Sequence, residues 1–599
     1  MVLYHLIYTR TLLQGPIEHQ NTHLIFALLL VFLGSLKKSK KLWPLILLLI
    51  FLSLVATLYV QVFYNDLEGR MGLPTNLDIV IGIIMLIVCF EATRRVFGPI
   101  LPAIGLIFVA YVFLGQYIPP PFWHFPISLD LAIASYNIGL GGMYGLPLGM
   151  SANYMFLFII FGAFLRVSGA TNFFTQLSLL LGRNFRGSAG MTAVISSSLV
   201  GMLTGQGSSN VAITGPFTIP LMKKVGYTRE QAAAIETVAS TGGNIMPPIM
   251  GIAAFLMAEY TQVPYIDICA MAIIPSVLYY LCVGLFVQLN AAKLKVARIP
   301  GEVNYWAMLK SAPLFFGPLA VLVALLIEGY SLMFVSFTLP VVIFILSLIM
   351  KETRGSFSTW IRACEEGAMT GASIAVATSV VGTIMASIDL TGIGILFPSI
   401  VDQLSGGILW IALLLIAFVT IILGCGLPPF ASYLTVAMLC APVLTRLGIP
   451  LIPTHFFLFF FATFALITPP VAMVVLVAAP IAGASYLKTS FEAVKVGVIA
   501  WLLPFLVIWV PGIILQPQEP MEMAIKLLAC LVTILGLQVA LTGYYLTALN
   551  LSERGISGLL VGALIGFIAT TNYIFLAIGL IIFALLSLWQ LKKRLIGSS

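Results

Sequence analysis

The stretch STGGNIMPPIMG, Ser240–Gly251, lies inside an apolar run that extends from about residue 231 to residue 260. Pro247 and Pro248 remove two adjacent backbone donors, and Gly242, Gly243 and Gly251 loosen the chain around them. An interior proline costs a lone helix about 3 kcal/mol or more. Non-helical backbone at membrane depth persists only where it is buried in protein or lines a cavity. The stretch therefore predicts a discontinuous membrane helix whose break has a purpose.

The rest of the chain supplies the membrane context. Of 599 residues, 60% are hydrophobic and only 8% charged, with a mean hydropathy of +1.10; soluble chains carry about 25% charged residues. Apolar windows of about 20 residues, enough to cross a bilayer, recur from end to end. The fold class is an all-α polytopic membrane protein, since a β-barrel would show short alternating segments. The first apolar stretch follows a polar N-terminus with no small-residue cleavage site, so it reads as a retained span. The net charge of +8 sits in short loops between spans, which fits orientation by the positive-inside rule and no nucleic-acid partner.

Other chemistries find little support. Cys89, Cys269, Cys282, Cys364, Cys425, Cys440 and Cys530 form no CxxC or Cys/His cluster and read as packing residues. The histidines never form HExxH, and no Walker motif occurs. The chain is read as a non-enzyme with no cofactor.

Spans fall near 23–36, 43–63, 77–96 and 98–117, with KKSKK (37–41) and Arg94-Arg95 cytoplasmic and the Pro-rich loop IPPPFWHFP outside. Residues 1–128 form an N-terminal set of helices and 129–517 a larger block, in which the basic linker AAKLKVARIPGE (291–302) precedes spans near 310–350. Residues 518–599 hold two or three further spans.

The larger block repeats itself, over about 150–290 and 368–515. Gly205 and Gly207 recur as Gly424 and Gly426; Pro220 and Gly226 recur as Pro442 and Gly448; Pro247-Pro248 recur as Pro469-Pro470, 222 residues on. Between 181 and 230 the first copy carries Arg183, Arg186, Lys223, Lys224 and Arg229, whereas 403–452 carries only Arg446. Opposite charge sidedness predicts inverted copies, the architecture of secondary transporters.

Within the first copy, residues 190–203 and 211–222 are apolar pieces too short to span, separated by TGQGSSN and flanked by basic residues on both sides. This predicts a re-entrant hairpin with its tip near Ser208-Ser209-Asn210. At the following break, freed carbonyls suit a cation and freed amides a carboxylate. Ser208, Ser209, Asn210 and Asn244 add neutral oxygens and amides of the kind hard cations accept. Glu236 has two readings: a buried proton-binding or site-organising group, or a structural acid snorkelling to the cytoplasmic end. The second copy has no Asp or Glu from Gln403 to Phe491, so a cation there would rest on carbonyls and hydroxyls.

Five motifs in order carry a resemblance: EATRRVFGPILP (91–102), MYGLPLGMSANYMFLFIIFGAFL (143–165), NVAITGPFTIPLMKKVGY (210–227), STGGNIMPPIMG (240–251) and ITPPVAM (467–473). Together, over about residues 20–515, the chain resembles the fused membrane subunit of TRAP transporters of the TAXI type. The resemblance implies a prokaryotic inner-membrane secondary transporter that imports small organic acids with a TAXI-type substrate-binding protein. It implies a small four-helix unit fused ahead of an elevator-type transport unit with two hairpins and two broken helices. The tips fall at Gly205–Asn210 and Gly424–Pro429, and the breaks at Gly243–Pro248 and Ile467–Pro470, including Thr468. Two departures stand out. Gln206 replaces the serine usual after the first tip glycine, and Leu427-Pro428-Pro429-Phe430 replaces Leu-Pro-Thr-Thr. The coupling ion thus stays open between Na⁺ at the tips and H⁺, with Glu236 the group to inspect for the latter. The expected substrate is an organic anion, a dicarboxylate such as 2-oxoglutarate or glutamate. A stand-alone carrier of the same fold and an ion channel are the alternatives.

Overall fold

The structure is a computed structural model that describes residues 1–38, 42–70, 73–137, 141–298, 304–350, 356–469 and 471–596. Residues 39–41 of the KKSKK stretch, residues 299–302 of the basic linker, and Pro470 lie outside the described residues. The described chain is helical throughout, and 13 helices are long and apolar enough to cross a membrane. Helix starts carry the expected chemistry. Thr75 with Asp78, Thr228 with Gln231, and Asn550 with Glu553 form reciprocal capping boxes, satisfying amides that a helix start leaves without partners.

The chain divides into two compact units. The first comprises residues 1–170, 311–416 and 426–447. Its axis is the 35-residue helix Phe357–Thr391, packed against Pro16–Lys38, Asn76–Phe97, Ile100–Leu114 and Phe156–Val167. Small residues allow this closeness: a Cβ on Gly371 would lie 2.4 Å from Phe156, one on Gly367 2.6 Å from Ile160, and one on Gly382 2.1 Å from the Gly142 carbonyl. Lipid is as apolar as the side chains, so membrane helices associate through such close packing and interhelical hydrogen bonds. Here Thr93 donates to Val376 O at 2.8 Å and Tyr136 pairs with Ser387 at 2.9 Å.

The first long helix, Pro16–Lys38, starts earlier than its apolar run because its polar turns are buried in protein. Asn21 donates to Thr57 O and accepts from Tyr144, each at 2.8 Å, and His23 bridges His5 at 2.8 Å and Ser151 at 3.0 Å.

The second unit comprises residues 171–310, 417–425 and 448–599. It holds the first hairpin, Ser188–Thr204 and Gly207–Lys224, and the first broken helix, Arg229–Gly242 and Ile252–Thr261. The long helix Tyr265–Leu294 follows. The second broken helix, Leu451–Phe464 and Met473–Ala482, lies in the same unit. The two broken helices run antiparallel, as the charge pattern predicts. Arg229, at the start of one, reaches Gly483 O just past the end of the other at 3.4 Å. Val474, at the start of its second half, stands with Thr241 against Gly207. Tyr260 and His455 meet at the opposite end, ring centroids 5.2 Å apart.

The C-terminal residues form three helices, Pro520–Thr542, Leu551–Thr570 and Tyr573–Ile596. The first packs on Tyr265–Leu294, where the buried Gln538 donates to Cys282 Sγ at 3.0 Å and Val496 O at 3.1 Å.

Because Gly382 faces backbone rather than a flexible side chain, an added methyl group has no room. Gly382→Ala should destabilise the first unit by about 1–3 kcal/mol, seen as a lower thermal-unfolding midpoint in detergent.

Candidate functional site

The first hairpin turns at the start of the Gly205–Asn210 stretch and not at Ser208-Ser209-Asn210. Gly205 takes a left-handed conformation (φ 57°) and closes the helix by donating to Gly201 O at 2.9 Å; Gln206 is extended, and the next helix opens at Gly207. A left-handed position favours glycine, which makes Gly205-Gln206 the tip. Ser208 and Ser209 fall half-buried in the first helical turn, where backbone amides lack intrahelical partners. The predicted tip at Ser208-Ser209-Asn210 is corrected accordingly.

The tip rests on the break. A Cβ on Gly205 would lie 2.1 Å from Met250 O, and one on Gly201 2.6 Å from Gly243 Cα. Glycine at 201, 205 and 243 thus permits backbone-to-backbone approach. Asn210 fills the junction, its Nδ2 donating to Ser197 O at 2.7 Å and Ser240 O at 3.4 Å. These two bonds fix the amide orientation, so Oδ1 is the atom left buried with no partner among the described residues. Thr204 Oγ1 is left in the same condition. Buried polar atoms are rarely unpaired, and two neutral oxygens at one tip suit a hard cation or a donor on a substrate.

Most carbonyls freed at the break have partners. The helix end tightens, with Gly243 N, Asn244 N and Ile245 N donating to Ser240, Thr241 and Gly242 carbonyls at 3.0–3.2 Å. Asn244 Nδ2 also folds back onto Thr241 O at 3.0 Å. Others are met by one face of Tyr265–Leu294. Tyr279 donates to Val238 O at 2.8 Å, Tyr280 to Ala239 O at 3.0 Å, and Ser276 to Ile245 O at 2.6 Å. Cys269 meets Pro248 O at 3.2 Å, and Tyr265 reaches the carbonyls of Pro248 and Ile249. No donor among the described residues meets the carbonyls of Gly243 or Met250, which lie beside the tip. The break is therefore a held conformation, with Gly243 and Met250 carbonyls and Asn210 Oδ1 left for a ligand.

Glu236 lies one turn below, with no exposed surface, which rules out snorkelling. Its Oε1 accepts from Ser197 at 2.9 Å, from Ser240 at 3.1 Å and from the Thr214 hydroxyl; its Oε2 accepts from Thr218 at 2.6 Å. Four hydroxyls from three helices enclose one carboxyl group.

In the second copy, Gly424 ends the helix Leu409–Gly424, Gly426 is left-handed (φ 84°) against Ile100, and the next helix begins at Pro429. At its break, Leu451–Phe464 ends in a three-residue turn, Ala465–Ile467. Thr468 then folds its hydroxyl onto Phe464 O at 2.8 Å and accepts from Ala472 N at 3.1 Å; Pro469 lies between them. Around it, Phe464 stacks on Tyr279 at 5.3 Å and Phe457 and Phe461 meet Phe505. Thr463 Oγ1 is buried without a partner among the described residues. The structure thus gathers Gly205, Gly207, Asn210, Gly243 and Asn244 at the first break, with Pro247 and Pro248 on the side tied to Tyr265–Leu294.

Ser197, Thr214, Thr218 and the ladder Tyr265, Cys269, Ser276, Tyr279 and Tyr280 escaped the sequence reading. Their spacing was the available signal: 265, 269, 276 and 280 share one helical face, as do 214 and 218.

One helical hairpin and two broken helices, set around partly unmet polar backbone, are the marks of a polytopic membrane protein. The family model described as tripartite ATP-independent periplasmic transporter, DctM component, matches residues 83–521, and the chain belongs to this family. It is therefore a transporter of the inner membrane and not an enzyme, and TRAP transporters work with a periplasmic substrate-binding protein. The chain is 25% identical over 372 residues to the C4-dicarboxylate TRAP transporter large permease protein DctM of Pseudomonas aeruginosa, covering 59% of this chain and 83% of that protein.

Removing a ladder donor leaves a buried carbonyl unmet. Ser276→Ala and Tyr280→Phe should each destabilise by about 1–3 kcal/mol, measured as earlier thermal unfolding of the purified protein.

Proposed function

We propose that this protein is the membrane permease of a TRAP system of the TAXI type, importing a small dicarboxylate against its gradient at the expense of an ion gradient. The observation that carries the site is the buried Asn210 Oδ1 beside the unmet Gly243 and Met250 carbonyls. The dicarboxylate class follows from the similarity to a C4-dicarboxylate permease, and 2-oxoglutarate and glutamate are the five-carbon candidates to compare with it. The TAXI type and the fused arrangement are supported by the sequence motifs and by the helices that precede the family match at residue 83. Residues 1–128 act as the fused small unit and, with the helices of 310–350, as scaffold; the first hairpin and the two broken helices, which share one compact unit, form the moving part of an elevator.

The assignment is tested by uptake into proteoliposomes with the cognate binding protein. Succinate, 2-oxoglutarate and glutamate are offered in turn, and uptake should require the binding protein. Asn210→Ala and Asn244→Ala should each lower uptake by about tenfold, equivalent to 1.4 kcal/mol. Unchanged uptake in both variants removes the site from the first break.

A further inference from the structure

The Glu236 cage has a property that a merely structural acid does not need. Three of its four hydroxyls have a second partner within reach: Thr214 Oγ1 lies 2.9 Å from Asn210 O, Thr218 Oγ1 lies 3.0 Å from Thr214 O, and Ser197 Oγ lies 3.3 Å from Thr214 Oγ1. When the carboxyl group is ionised, all four hydroxyls donate to it. When Oε2 carries a proton, that proton is donated to Thr218 Oγ1, and the Thr218 hydroxyl turns to Thr214 O. A hydroxyl rotates about its C–O bond to suit its partners, so both states share the same heavy-atom positions.

The spacing around Glu236 is that of a hydrogen-bonded carboxyl group. A hard cation of calcium's size keeps its oxygens about 2.3–2.6 Å away, which sets ligands at right angles roughly 3.3–3.7 Å apart. The carboxyl oxygens of Glu236 stand 2.6–3.1 Å from Ser197, Thr218 and Ser240.

Among the described residues, no other charge compensates the group. The helix Ser188–Thr204, the turn Ala465–Ile467 and the helix Met473–Ala482 carry no titratable side chain. On Gly207–Lys224 the lysines stand at the far end, Lys223 on Ala482 O at 2.9 Å. On Glu236's own helix, Arg229 and Glu230 occupy the first turn. On Tyr486–Val496, Lys495 pairs with Glu492 at 2.6 Å, and Lys488 is exposed. Tyr265–Leu294 presents Tyr279 and Tyr280, both donating to backbone carbonyls. A lone buried carboxylate is unfavourable, and binding one proton removes the charge.

The cage is also wired to the tip. Ser197 and Ser240 hold the Asn210 amide through their carbonyls and Glu236 through their hydroxyls; Thr214 joins Glu236 to the Asn210 carbonyl. We propose that Glu236 is the proton-coupling site of this transporter, taking one proton from water on one side and releasing it on the other. This rests on the reading of the first break as the transport site.

Two measurements test it. The full-length protein in lipid nanodiscs is compared at acid and alkaline pH by infrared difference spectroscopy, with no substrate present. The wild type should show a protonated-carboxyl C=O band that Glu236→Gln lacks, and whose frequency Thr218→Val shifts. A band untouched by either substitution overturns the proposal, whatever the substrate proves to be. In proteoliposomes with the cognate binding protein and labelled succinate, the ratio of pH-driven accumulation to substrate exchange should fall by about tenfold or more in Glu236→Gln. An unchanged ratio also overturns it, whereas absent uptake in the wild type counts against the substrate assignment and leaves the infrared result to decide the proton site.

Discussion

A backbone carbonyl in hydrocarbon needs a donor, and everything at the first break follows from where those donors are. Pro247 and Pro248 remove two helical donors and the chain leaves the helix after Gly242, so several carbonyls up to Met250 are met from elsewhere. One face of Tyr265–Leu294 meets most of them, with hydroxyls and a thiol at Tyr265, Cys269, Ser276, Tyr279 and Tyr280. That ladder turns a costly interruption into a defined shape, because each donor is itself held on a continuous helix. Among the carbonyls it does not reach, those of Gly243 and Met250 lie against the hairpin tip.

The two breaks solve the same problem differently. The first is held by polar side chains; the second is held by its own tight turn and by Thr468, within aromatic packing from Phe457, Phe461, Phe464 and Phe505. Hydrogen bonds specify direction, whereas ring packing fills volume and tolerates small shifts. The antiparallel arrangement places these unlike breaks in one unit, so inverted topology is kept while the local chemistry differs. The acid is likewise confined to the first copy, where Ser197, Thr214, Thr218 and Ser240 enclose it.

Much of this was legible beforehand. Apolar windows placed the spans, and the repeated Gly and Pro positions placed both breaks and the interruption between Gly424 and Pro429. The charge pattern on the flanks predicted the antiparallel relation that the Arg229–Gly483 contact and the Tyr260–His455 pair display. Polar residues look like a loop, which points to Ser208-Ser209-Asn210 as the first tip; the turn belongs to Gly205, at the start of the Gly205–Asn210 stretch, and Ser208 and Ser209 are helix-start residues. The first span was begun too late for a related reason. Its polar opening is buried by partners distant in sequence, such as Thr57, Tyr144 and Ser151, which hydropathy does not register.

By itself the sequence determined that the chain lives in a membrane and where continuous helix must fail. Those are properties of composition and local backbone chemistry, and they need no knowledge of neighbours. Only the tertiary structure decided which freed groups remain free and what surrounds Glu236. A hydrogen bond depends on a donor placed within about 3 Å, and the donors here lie 13 to 41 residues away on other helices. Sequence distance carries little information about that placement, so Asn210 was recognisable as a candidate, but the isolation of its Oδ1 was not.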